Sequence, residues 1–156
     1  MTDFQFRYDD TKGYYDIVID ANGDLANETS LDSAIYMSLF CDKRADESEV
    51  QVPELRRGWW GNELNEDGYE IGSKLWLLEQ RRATQDTLND CKDYIYNCLQ
   101  WLLEKDAQGY SIVKELQVDT AYQSRNVILA NIRFTGYDNT VNNKTYQLFL
   151  NSIPNG

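Results

Sequence analysis

Arg57-Gly58-Trp59-Trp60-Gly61-Asn62-Glu63-Leu64, followed by Ile71-Gly72-Ser73-Lys74-Leu75-Trp76-Leu77-Leu78, holds three of the chain's four tryptophans. Two of them sit in a glycine-bracketed loop beside an arginine. The third lies in an apolar run just after Gly-Ser. An indole is costly to leave in water, so a loop carrying two of them packs on something, either the chain's own core or a partner. The glycines at 58 and 61 let the backbone approach closely.

Helical and strand patterns flank this block. Upstream, Tyr14 to Asp20 predicts a strand, Asn22-Gly23 a turn, and Thr29 or Ser30 the cap of a helix from about Leu31 to Lys43. Leu31, Ala34, Ile35 and Leu39 make its apolar stripe. Asp42 to Glu49 is a charged loop, and Pro53 and Gly58 keep residues 46–70 irregular, with Asn65-Glu66-Asp67-Gly68 as a further turn. A loop of that length is usually functional or tightly packed.

Downstream, Ser73 predicts the cap of a short helix to about Gln80, and Thr84 that of a longer one to about Lys105. In the latter, Leu88, Cys91, Ile95, Cys98, Leu99 and Leu102 form the apolar face. Ile112–Val118, Val127–Thr135 and Lys144–Leu150 read as strands, joined by turns at 122–126 and 136–139. Asn131, Arg133 and Thr135 alternate with Ile132 and Phe134, as in a sheet with one wet face. One strand, three helices and three strands argue for a single α+β domain over residues 1–156, with a small antiparallel sheet and about three helices on one side.

The composition narrows function. A chain of 156 residues with 42% hydrophobic content is globular and can bury a core. It has 15 basic and 26 acidic residues, a net charge of −11. That argues against nucleic acid as a partner, which needs a basic surface. No apolar run approaches the roughly 20 residues that span a bilayer. The start, Met1-Thr2-Asp3-Phe4-Gln5, lacks the basic and apolar segments of a signal peptide, so synthesis in the cytoplasm is expected.

Cys41, Cys91 and Cys98 suit no metal site, and all three are expected as reduced, buried hydrophobes. Histidine is absent, which removes His-based triads and most zinc sites. Asp20-Ala-Asn-Gly-Asp24 has the opening of a calcium loop, but Leu31 stands where the twelfth-position glutamate belongs. No metal and no cofactor are expected. Glu63, Glu66, Asp67 and Glu70 are carboxylates for a glycosidase-type reaction in principle. Only one held in an apolar cleft has the raised pKa of a catalytic acid, and Glu63, near Trp60, is the best placed. Arg57 either pairs with an acidic residue of its own chain or faces a partner, because Arg and Trp are enriched in interface hot spots. Trp59 is equally open to core and interface. Trp76 and Trp101, on helices, are expected in the core.

The tryptophan block resembles that of the baseplate wedge proteins of Mu-like contractile-tailed phages. The similarity extends through Asp20-Ala-Asn-Gly23-Asp24-Leu25 and Leu31 to Arg44 upstream, and to Leu99-Gln-Trp101-Leu-Leu103-Glu104 downstream. It covers about Asp16 to Val118. In layout these proteins are similar to the lysozyme-like baseplate wedge family, where a strand, a helix, a glycine- and arginine-bearing loop and a Phe-Gly-Ser helix start come in the same order. Two departures stand out. Mu-like members usually carry Asp where this chain has Asn62. The broader family's Glu-Pro-Arg motif is missing, because the corresponding stretch reads Glu104-Lys-Asp-Ala-Gln-Gly109.

The resemblance implies a non-enzymatic structural subunit of a phage, prophage or tailocin baseplate. It would sit in several copies around a ring, docked to a larger wedge protein and other tail subunits, and end in the virion tail. Arg57, Trp59, Trp60 and Glu63 are then the candidate partner-binding residues. A carboxylate-dependent cell-wall hydrolase and a cytosolic acidic adaptor are the alternatives.

Overall fold

In the computed structural model, residues 3–4, 6–9, 14–24, 27–28, 31–64 and 70–150 are described. The chain divides into two units, Met1–Ser38 and Leu39–Gly156. The first holds two short antiparallel pairs. Strand β1 (Asp3–Phe4) pairs with β4 (Asn27–Glu28), and β2 (Phe6–Asp9) with β3 (Tyr14–Ile17) in the register Phe6↔Ile17 to Asp9↔Tyr14. The strand expected over Tyr14–Asp20 therefore ends at Ile17. The Asp20 carboxylate accepts the backbone N–H groups of Asn22 and Asp24, at 2.8 and 3.0 Å. The would-be calcium ligand is thus spent on a local turn.

Helix α1 (Asp32–Phe40) begins where the sequence placed it and stops three residues early. Its buried side differs from the expected stripe. Ile35 and Leu39 are buried, but so are Ser33 and Ser38, whereas Leu31 is 39% exposed. Ser38 tolerates burial by donating its hydroxyl to the Ala34 carbonyl at 2.8 Å, the local partner a helical serine finds most readily.

In the second unit three strands form an antiparallel sheet in the order β5 (Glu115–Ser124), β6 (Val127–Thr135), β7 (Val141–Phe149). A bulge between Tyr122 and Ser124 precedes the first turn. The sheet alternates as its sequence predicts: Leu116, Val118, Ile128, Ala130, Ile132, Phe134 and Tyr146 are buried. The other face carries a polar ladder. Arg133 donates to Asn143 and Gln117, Thr145 to Asn131, and Gln147 to Gln123.

Helix α2 (Gln85–Cys98) packs against β5. The Thr84 hydroxyl accepts the Thr87 N–H at 3.2 Å, the N-cap read from the sequence. Leu88, Cys91 and Ile95 face inward, with Cys91 and Ile95 almost wholly buried. Burial pushes the Cys91 and Cys98 thiols up to about 12, so both stay protonated at neutral pH, and all three cysteines are free.

The expected three helices become two. The stretch from Ser73 is one 3₁₀ turn, Leu75–Leu78. The long helix stops at Cys98 and tightens into a second 3₁₀ turn, Gln100–Leu103. Residues three apart eclipse in a 3₁₀ turn, and this tightening turns Leu99 and Leu102 into the core together, both fully buried. An α-helix run on to Lys105 would have separated them by about 60° around its axis. Among the described residues no helix is long and apolar enough to cross a membrane.

Candidate functional site

The tryptophan loop is held by a ribbon rather than by regular structure. Residues 41–46 run extended between two other segments of the second unit. On one side, Ser73 N–H donates to Cys41 O and Lys43 N–H to Ser73 O, both at 2.9 Å, forming a parallel bridge. On the other, Trp59 N–H donates to Asp42 O at 2.7 Å and Ala45 N–H to Arg56 O at 3.0 Å. Ser73 adds its hydroxyl, which donates to Leu39 O at 2.5 Å, and Trp76 adds its indole N–H, which donates to Lys43 O at 2.9 Å. These donors and acceptors leave no buried side-chain nitrogen or oxygen unsatisfied among the described residues.

Arg57 sits over this frame in the left-handed region, at φ +48°. That conformation costs a non-glycine residue about 1–2 kcal/mol. Its guanidinium bonds Glu79 at 3.1 Å and Asp42 at 3.2 Å and lies 4.8 Å from the Trp76 ring centre. Partly exposed ion pairs contribute about 0.2–1 kcal/mol each and a cation–π contact about 0.5–1, enough to offset the strain. The hydrogen bond to Glu79 leads the effects that raise the Arg57 pKa above its usual value. Of the expected packing of Arg57–Leu64 on the Leu75–Leu78 turn, the contact seen is that of Arg57, which ties the start of the loop to Trp76 and to Glu79 at the end of that turn.

Lys74, on the same turn, is pulled down by burial. Hydrogen bonds to Glu49 (2.6 Å) and Asp46 (2.9 Å) outweigh that and leave its pKa above the usual value, while Lys74 in turn lowers Asp46.

Of the two loop indoles, Trp59 is half-buried and Trp60 is 70% exposed. Their ring centres are 5.9 Å apart at a tilt of 49°. A side chain at Gly61 would run into the Trp59 ring, so the glycine is what lets that ring fold back over the loop. Leu64, at the far end of the 3₁₀ segment Trp60–Leu64, is 72% exposed. Trp76 is half-buried and fixed by its indole bond, and Trp101 is half-buried on its 3₁₀ turn.

Asn62 closes the loop. Its amide nitrogen donates to Ile71 O and its amide oxygen accepts Ile71 N–H, both at 2.9 Å. One side chain thus imitates a strand neighbour, which needs a donor and an acceptor together. A carboxylate offers only acceptors. Asn62→Asp is therefore expected to lower the unfolding free energy by about 1–2 kcal/mol at neutral pH, with the loss shrinking as the new carboxyl is protonated. Urea titrations of both proteins at neutral and acidic pH check this. Equal midpoints at neutral pH would mean that the amide does not hold the loop.

The carboxylates divide differently from expectation. Glu63, proposed as the one in an apolar setting, has a side chain 79% exposed, 3.8 Å from Arg44. Glu70 is half-exposed and paired with Lys43 at 3.1 Å. Glu66 and Asp67, with the turn at 65–68, lie outside the described residues. An open cleft of about 330 Å³ lies beside Trp76, lined by Phe40, Leu75, Leu78, Ile128 and Leu148, and by Asp42 and Glu79. Those two acids share one arginine. Sequence reasoning missed them because each looked like an ordinary surface acid.

The sequence profile of the Phage protein GP46 family matches residues 31–141. The chain is 31% identical over 147 residues to the Mu-like prophage FluMu protein gp46 of Haemophilus influenzae, covering 94% of this chain and 96% of that one. It is 38% identical over 104 residues to the baseplate protein gp46 of Escherichia phage Mu, covering 65% and 68%. The matched span contains the whole ribbon, the tryptophan loop and α2, and the chain belongs to the GP46 family of Mu-like phage baseplate proteins.

Proposed function

We propose that this chain is a small wedge subunit of a contractile-tail baseplate, acting through assembly surfaces and performing no reaction of its own. In this reading it shares the lysozyme-like wedge architecture. It is made in the host cytoplasm, docks to a larger wedge protein and is built in several copies into the baseplate ring of the tail. The docking surface is the tryptophan loop. Arg57 and Trp59 shape it from within, while Trp60 and Glu63 meet the partner.

One observation carries this reading. Trp60 stands 70% exposed on a loop pinned at Trp59 N–H and again at Asn62. A large apolar side chain on a rigid support loses little conformational entropy on binding, which is the setting of an interface hot spot. The hydrolase reading lacks a comparable support, because the cleft's two acids are both bound to Arg57.

Trp60→Ala should weaken co-purification with the larger wedge protein at least about tenfold, a loss of about 1.4 kcal/mol, with a melting temperature close to that of the parent. Trp59→Ala should do both in part. Trp76→Ala should act mainly on melting. Normal partner retention by Trp60→Ala would make the loop a purely internal structure and overturn the assignment.

A further inference from the structure

Among the described residues, strand β7 is the edge of its sheet, with no strand on its outer side. Leu150 N–H donates to Asn126 O, and Gly136 N–H to Thr140 O. These two bonds fix the phase of the ladder: even-numbered residues of β7 bond to β6, and odd-numbered ones turn their N–H and C=O outward. The odd residues are Val141, Asn143, Thr145, Gln147 and Phe149. Among the described residues, none of their outward backbone groups meets a partner.

Natural edges are blunted by bulges, prolines or charge. The β5 strand has a bulge and the acids Glu115 and Asp119. In contrast, β7 pairs with β6 without a break over nine residues and contains one charged residue, Lys144. Phe149 and Val141 at its two ends are 59% and 52% exposed.

The sequence of β7 complements itself. When two copies run antiparallel with Thr145 opposite Thr145, every outward odd residue faces another odd one, as the ladder requires. Phe149 then meets Val141 on the wet face, and Gln147 meets Asn143. On the other face Lys144 falls opposite Tyr146, and no like charges face each other. Each exposed apolar residue thus covers one on the other copy, and about ten backbone hydrogen bonds form. The acids of β5 lie two strands away, about 10 Å, and the two that share a cleft with Gln147 and Phe149, Asp42 and Glu79, are both paired with Arg57.

We infer that β7 is a self-association surface, through which two copies of this chain join edge to edge about Thr145 into a continuous six-stranded sheet. This goes beyond the docking role of the tryptophan loop and does not depend on it.

Analytical ultracentrifugation of the purified chain over the micromolar range tests it. The parent should sediment as a dimer in equilibrium with monomer. Thr145→Lys sets two lysines face to face at the axis and should raise the dimer dissociation constant at least about tenfold. Thr145→Cys should give a covalent dimer on mild oxidation, because directly opposed residues bring Cα atoms to about 5.5 Å. Asn143→Cys, facing Gln147, should not. This crosslinking pair decides the matter even if the lysine variant folds poorly. A parent that stays monomeric throughout, a dimer indifferent to Thr145→Lys, or equal crosslinking at 143 and 145 would each overturn the proposal. A monomer whose β7 is covered only in the presence of another protein would give the edge to that protein instead.

Discussion

Replacing Ile95 by alanine should lower the unfolding free energy by about 2–5 kcal/mol, the range for removing a buried branched side chain. Ile95 is 1% exposed, at the centre of the α2 face that begins at Leu88 and continues through the 3₁₀ turn to Leu102. Its neighbours on that face are held in place. Thr120 donates its hydroxyl to Leu88 O at 3.0 Å and Tyr122 donates to Thr84 O at 2.9 Å, fastening the start of the helix to β5. With the helix tied to the sheet, the space left by the side chain cannot close by a simple shift. The cost should therefore fall in the upper half of the range. The check is a urea or thermal titration, with the slope of the urea transition showing that the native state remains compact. A loss under about 1 kcal/mol would mean that the helix relaxes into the space and that the core is softer than its hydrogen bonds imply.

Gly72→Ala should cost a similar amount for a different reason, about 2–4 kcal/mol from backbone strain and collision together. Gly72 lies at φ +114°, and a Cβ there would stand 2.5 Å from the Cys41 carbonyl oxygen. That carbonyl already accepts the Ser73 N–H, so it cannot move aside without breaking the ribbon. The effect should reach further than stability. The indole of Trp76 and the guanidinium of Arg57 depend on the same bridge, so tryptophan fluorescence of the folded variant should shift as well. A Gly72→Ala protein with parental melting and emission would show that the segment has another way to pass Cys41.

The three strands and α2 were readable in the sequence because their information is local, although β5 was expected over Ile112–Val118 and runs over Glu115–Ser124, and β7 was expected over Lys144–Leu150 and runs over Val141–Phe149. Thr84 announced the cap, the apolar spacing from Leu88 to Ile95 announced the buried face, and Val127 to Thr135 alternated as a strand should. The ends were less visible. Nothing in Leu99-Gln-Trp-Leu102 says that the helix tightens there, because the cause is the fit of two leucines to a core assembled from elsewhere. Strand β2 was missed although Phe4, Phe6 and Tyr8 alternate, a period of two over a short span. The tryptophan block pointed to its own importance, and the pairing of Arg57 within the chain was one of two readings its sequence allowed. The ribbon that supports the block was invisible, since Asp42, Ser73 and Trp59 meet through backbone atoms that every residue possesses. Asn62 was noticed as a departure from the Mu-like pattern, but its two-sided bond to Ile71 needs the geometry.

The ribbon has a consequence for when the tryptophan loop comes into being. Strands β5, β6 and β7 are joined by short turns, so their pairing needs little chain to be gathered. Cys41 and Ser73 are brought together only after the whole intervening stretch is looped out, and the entropy of closing such a loop must be met before any bond across it forms. The sheet and α2 should therefore mature first and the tryptophan loop last. A surface completed at the final step exists only on finished molecules. If Trp60 meets its partner on that surface, incorporation into a larger assembly would select for correctly folded subunits, with no separate proofreading device.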